Sequence, residues 1–157
     1  MKRNMLLALC LGILCLLLSV ACAKKQTIVP PAAVTLEIRW AKTEPTPGFT
    51  PMTAEGPKKA TFYLAPTPLL TGADIASAEV VESYFGPGVS FTLNQEGEAT
   101  MRAFTREHIR EHLAIIIDGR LVTAPVIQSE IGNRGLIDGG FALEEAQRIA
   151  DGLNAGR

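Results

Sequence analysis

Five consecutive apolar residues, Leu113-Ala114-Ile115-Ile116-Ile117, run directly into Asp118-Gly119. A strand with no polar position offers no face to water, so this one must be central and covered on both sides. Asp-Gly is a strong two-residue hairpin signal, because the favoured turn takes positive φ at both central residues. The chain therefore returns as a partner strand through Arg120-Leu121-Val122-Thr123-Ala124-Pro125-Val126-Ile127. Pro125 has no N–H for a ladder, which puts this second strand at an edge or across a bulge.

The flanking sequence supplies the remaining layers. Val34 to Trp40 alternates, with Val34, Leu36, Ile38 and Trp40 on one face of a half-buried strand. Glu44 to Pro51, with three Pro and a Gly, holds neither a helix nor a central strand and reads as an extended loop. Further strands are expected at Ala60–Leu64, Ala78–Ser83 and Val89–Leu93, the last entered through a turn at Gly86-Pro87-Gly88. Thr71-Gly72-Ala73-Asp74 reads as a capping box for a short helix. Asn94 is a helix cap, and Met101, Phe104, His108 or Ile109, and His112 recur at helical spacing, predicting a helix to about His112. Gly132-Asn133-Arg134-Gly135 turns into a short strand, Leu136-Ile137-Asp138, that Gly139-Gly140 breaks. A last helix carries Leu143, Ala146, Ile149, Ala150 and Leu153 on one side, acidic Glu144 and Glu145 in its first turn, and Gly156 as its stop. The expected class is α+β: a mixed β-sheet with two main helices and a short third.

The first twenty-odd residues are different in kind. Lys2 and Arg3 precede an apolar run, and no charge occurs from Asn4 to Ala23. That is the layout of a secretory signal peptide. Its end, Leu18-Ser19-Val20-Ala21-Cys22, resembles a lipobox, after which Cys22 would be lipidated. An uncleaved anchor is the rival reading, since about 20 apolar residues can just span a bilayer. Lys24 and Lys25 opposite Lys2 and Arg3 leave such an anchor little positive-inside bias. Cleavage would remove Cys10 and Cys15, so one of the three Cys would remain and no internal disulfide would form. The reading is a signal peptide over 1–21 and a Pro-containing tether over 22–33. Cys22 then holds the domain to a membrane of the cell envelope, facing the periplasm or exterior. Ala23 leans this toward the outer membrane where a cell has two.

Charge excludes one class of partner. Fifteen Lys and Arg stand against 16 Asp and Glu, a net charge of −1, without the basic footprint of a nucleic-acid binder. Without its leader the chain would hold 13 basic and 16 acidic groups, or −3. Few residues suggest catalysis. His108-Ile109-Arg110-Glu111-His112 spells H-x-x-E-H, which on one helix face can bind zinc with the Glu as base. These are the only two His, so a third ligand would have to be Glu130, Glu144 or Glu145. His112 also abuts the apolar strand, where a helix ends instead of lining a cavity; a solvated helix end is the better reading. Gly132-x-x-Gly135 and Gly139-Gly140 lack the Lys and Ser/Thr of a phosphate loop, and no G-x-S-x-G elbow occurs. No cofactor, metal or small-molecule substrate is expected. Trp40, Phe49, Phe62 and Tyr63 are candidates for an aromatic peptide-binding surface, although such residues more often belong to core or rim.

Several of these stretches recur together in one family. The run Leu113 to Gly119, then Ala124-Pro125-Val126-Ile127, then Ile137-x-Gly139-x-Phe141-x-x-Glu144-Glu145-Ala146, is similar to the signature of SecD, in the head subdomain of its first periplasmic domain. Val89–Leu93, Glu96-Gly97, Phe104–Glu107 and Leu70–Ile75 extend the resemblance. It spans a domain of residues 34–157 with a core at 60–156. Thr123, Asp138 and Ala142 depart from the pattern, the last two at the cost of a helix cap, and the two His are unusual for it. Asp118, Gly119, Ala124, Pro125, Gly139, Phe141, Glu145 and Ala146 are the motif positions, with structural roles. SecD assists bacterial protein export, but its transmembrane helices, intramembrane carboxylate and full base subdomain are not expected among these residues. The resemblance therefore implies a non-enzymatic module that binds exported polypeptide or Sec translocase components, through a strand edge near Pro125 or an apolar groove. The alternative is a structural or regulatory envelope lipoprotein that reuses the fold outside export.

Overall fold

Residues 33–55 and 59–156 are described by a computed structural model. The expected signal peptide, Cys22 and the tether as far as residue 32 lie outside the described residues. In chain order the elements are β1 (Leu36–Lys42), β2 (Thr50–Thr53), β3 (Thr61–Leu64), β4 (Leu70–Thr71), a 3-10 turn (Gly72–Asp74), β5 (Ile75–Ser83) and β6 (Gly86–Leu93). There follow α1 (Gln95–Glu107), β7 (His112–Ile117), β8 (Arg120–Thr123), β9 (Arg134–Ile137) and α2 (Leu143–Ala155). The α+β class, the two main helices and the short third agree with the sequence reading. The division of the strands does not follow from it: they form two sheets, β2-β3-β1-β7-β8 with β4 also on β1, and β5-β6-β9. Each pairing is antiparallel.

The apolar run takes the place its composition demands. β7 lies between β1 and β8, and residues 113–117 are all buried. Because side chains alternate across a strand, Leu113, Ile115 and Ile117 join the main core while Ala114 and Ile116 face a second cluster with Ala41, Leu64 and Leu121. The main core also takes Val89, Phe91 and Ile137 from the second sheet, Met101 from α1, and Ala146, Ile149, Ala150 and Leu153 from α2. The smaller cluster is closed by curvature. Past β2 the Glu55 N–H reaches the Leu121 carbonyl at 3.0 Å, which draws the two ends of the first sheet together.

The caps explain the helix starts. Asn94 accepts the Gly97 N–H at 2.8 Å, and Thr71 with Asp74 forms the reciprocal capping box. Ala142 has the extended backbone of a cap residue but no side-chain bond, so the α2 amides rely on the dipole partners Glu144 and Glu145.

Four expectations need correction. α1 stops at Glu107, and His112 belongs to β7 opposite Ala41; Arg110 takes φ +74°, which no helix continues through. The turn between β5 and β6 is Tyr84-Phe85, with Gly86, Pro87 and Gly88 inside β6. Pro87 is harmless there because its nitrogen faces the β9 side, and β9 ends opposite Val89. The loop through Pro51 becomes an edge strand, β2, at Thr50. Leu143, expected on the buried side of α2, is 57% exposed at its first turn.

Candidate functional site

Two sets of the motif residues occupy different ends of β8. At one end Asp118 and Gly119 carry φ of +50° and +76°, the mirror-image turn that Asp-Gly favours. Asp118 accepts the Thr35 backbone N–H at 3.0 Å and pairs with Arg148 of α2 at 2.9 Å. Burial acts to raise the pKa of its carboxyl, but the Thr35 N–H and the Arg148 guanidinium outweigh it and hold the group below the usual carboxylate range. Next to it Arg120 bridges Glu145, at 3.1 Å, and Glu55, at 3.0 Å. Ala146 is fully buried beneath this contact. Gly139 lies so close to Val122 and to the Phe141 ring that a Cβ would stand 2.6 and 2.8 Å from them. Asp118, Gly119, Gly139, Phe141, Glu145 and Ala146 thus fasten the β7–β8 turn to the start of α2. Exposed ion pairs of this kind add little each; the packing beneath them sets the orientation.

Ala124 and Pro125 lie at the opposite end. The Pro125 carbonyl accepts the Leu113 N–H at 3.0 Å, and the Ile127 N–H reaches Glu111 at 2.8 Å. These bonds flank the His112–Val126 bridge, so Val126 turns its own N–H and C=O outward. The strand edge expected near Pro125 is therefore one rung long, with Val126 45% exposed beside it.

The apolar groove lies on the concave side of the first sheet. A cavity of about 350 Å³ is lined by Met52, Leu64 and Ile116, with Thr35, Thr50, Glu37, Arg39 and Gly119 at its rim. Arg39 is pinned there by Glu37 at 2.7 Å and by the Ala65 and Pro66 carbonyls at 3.0 and 2.7 Å. The cavity thus joins an apolar floor to a few fixed polar groups at its rim.

The histidines do not converge. His108 caps α1, stacks on Phe104 at 3.9 Å and turns Nδ1 to the Phe104 carbonyl. His112 faces Phe62 and directs Nδ1 to the Ala124 carbonyl at 2.8 Å. Glu111 accepts the indole N–H of Trp40. Among the described residues no three His, Cys, Asp or Glu side chains gather as metal ligands would. The aromatic candidates divide as well. Trp40 meets Phe49, Phe104 and His108 edge-on under Lys42, whereas Phe62 packs with the second cluster.

Sequence reasoning overlooked Arg120, Arg148, Glu55 and Asn154. The Arg partners carry no local signal, since their acids lie 25 to 65 residues away. Asn154 was legible as a polar residue beside buried Leu153 in the last turn of α2. Its carboxamide binds both the N–H and the C=O of Ala78 in β5, at 3.0 and 2.8 Å.

Comparison with known proteins agrees with this geometry. Residues 49–157 match the family model for the SecDF P1 head subdomain. The translocase subunit SecDF of Thermus thermophilus is 47% identical over 91 residues, covering 57% of this chain and 12% of that protein. SecD of Sebaldella termitidis is 44% identical over 90 residues, covering 56% of this chain and 22% of that protein. A solved structure of SecDF, described as a membrane component that enhances protein export, superposes with a TM-score of 0.62 at 33% identity. It covers 80% of this chain and 64% of that one. The chain thus spans less than a quarter of the length of these two curated relatives. Over the greater part of its length, from β2 to the end of α2, this chain belongs to the SecDF P1 head subdomain family.

Proposed function

We propose that this chain is an envelope lipoprotein of protein export, whose head domain holds extended polypeptide without breaking any bond. Residues 1–21 are its signal peptide, Cys22 its lipidated anchor, 22–33 its tether and 34–157 its working domain. The observation that carries the reading is the family match together with the half-apolar concavity of Met52, Leu64 and Ile116. Export relatives share the fold, and the concavity offers shape and apolar area but no nucleophile–base pair. The two histidines turned to backbone carbonyls support a passive role. Sec translocase components are the second class of partner, reached by the same tethered domain.

Each half has a test. Cys22→Ser, which removes the thiol that carries the lipid and at which the leader is cut, is expected to abolish the acyl mass on the N-terminal peptide and to leave residues 1–21 attached, as read by mass spectrometry of the protein from cells. A membrane-bound, unacylated wild type would refute the lipoprotein half. Full-length protein in detergent is expected to bind a reduced and alkylated, permanently unfolded polypeptide saturably, by fluorescence anisotropy, and to release it intact. Cleavage of that polypeptide, or no binding, would refute the holding half.

A further inference from the structure

The second sheet carries a strand edge that is open over its last rungs, from Val80 on, and ends in two bare aromatic rings. Ala78 of β5 points its N–H and C=O away from β6, where the Asn154 carboxamide meets both. Groups facing outward recur at every second residue of an antiparallel strand, so Val80 and Glu82 turn theirs outward too. Neither finds a partner for them among the described residues. Two residues on, the hairpin turns through Tyr84 and Phe85, 93% and 71% exposed and packed edge to face at 5.0 Å. Glu79 and Glu82 are exposed along the same strand.

We infer that the β5 edge from Val80 to the Tyr84-Phe85 turn receives an extended polypeptide segment as a fourth strand, one with apolar and cationic side chains. The inference rests on the holding role proposed above and assigns it a place distinct from the concavity. Three features select the occupant. A carboxamide has the donor and acceptor of a peptide unit, so Asn154 already shows this edge gripping one, and an incoming strand continues that pattern at Val80 and Glu82. The aromatic pair supplies apolar area at the strand's end, where two adjacent exposed rings have no role in the core. The two Glu select for positive charge and against acidic chains. Asn154 also fixes the register by closing the rung at Ala78.

Amide hydrogen exchange by NMR on the full chain in detergent micelles tests this, with a short acetylated peptide of alternating lysine and valine as probe. The peptide is expected to slow exchange at Val80 and Glu82 by about tenfold or more, as new hydrogen bonds do, while Glu79 and Val81, already bonded to β6, stay unchanged. The Glu79→Lys, Glu82→Lys double variant touches only exposed side chains; it should lose this protection and gain it with a peptide of alternating glutamate and valine. Glu82→Pro, which deletes one outward N–H, should weaken protection at Val80. Protection at Arg134 and Leu136, the outward rungs of β9, would overturn the assignment. So would chemical-shift changes confined to Met52, Leu64 and Ile116, which would leave the holding role intact in the concavity. Protection at Val80 that appears without peptide and grows with protein concentration would show a second copy on the edge and likewise overturn it. No response to the peptide anywhere, with the unfolded polypeptide also unbound, would remove the holding role itself.

Discussion

Gly135→Ala is expected to lower the unfolding free energy by about 3 kcal/mol, the upper part of the range for overpacking a closed core. Gly135 of β9 lies directly opposite Phe91 of β6. The Phe91 ring fills the space where a side chain at 135 would stand: a Cβ there would meet its Cε1 at 2.6 Å and its Cε2 at 3.0 Å. Phe91 is 4% exposed and belongs to the main core, so its ring has no free direction in which to swing. The strain should therefore be specific to that pair. Phe91→Leu alone leaves a smaller side chain and costs on the order of 1–2 kcal/mol. Combined with Gly135→Ala it should cost less than the sum of the two, because the smaller side chain makes room. Urea titration of the full chain, followed by circular dichroism, measures all three. Additivity within about 0.5 kcal/mol would show that the two positions do not press on each other.

Thr105→Val is expected to cost about 2 kcal/mol although it changes shape hardly at all, because a buried amide loses its acceptor. Thr105 of α1 is wholly buried. Its hydroxyl donates to the Met101 carbonyl at 2.8 Å and accepts the Ile131 N–H at 2.9 Å, which ties the segment before β9 to the helix. Arg102 and Arg106 grip Glu130 beside it, at 2.8 and 3.0 Å, but these pairs are exposed and add little. Thr105→Ser keeps the hydroxyl and should cost less than about 1 kcal/mol, since only a methyl is lost. Equal losses for Val and Ser would assign the effect to packing and contradict the hydrogen-bond account.

Both positions show what the sequence yields to reading and what it hides. The β7 strand and its turn were legible because their chemistry is local: an unbroken apolar run and an Asp-Gly pair each have one comfortable place in a sheet. Asn94 and the Thr71–Asp74 box were legible for the same reason. The end of α1 was not. His108 and His112 satisfy the helical period, and only the positive φ at Arg110, which sequence does not announce, separates a helix cap from a strand residue. The Tyr84-Phe85 turn was hidden behind Gly86-Pro87-Gly88, whose breaker character is neutralised by the short reach of β9. The concavity depended on Glu55 meeting Leu121, a contact across 66 residues that leaves no periodic trace. The motif positions were found through resemblance, and the ion pairs of Arg120 and Arg148 explain why several of them stand where they do.

On the function proposed above, this domain touches chains in transit across the membrane. Site-specific photocrosslinking in intact cells is the sharpest test, with a photoreactive residue placed at Met52 in the concavity or at Tyr84 on the hairpin of the full chain. Adducts with newly exported polypeptides or with the translocase are expected, and they should disappear when export is blocked. Adducts that persist unchanged under that block, and contain only resident envelope proteins, would contradict that function.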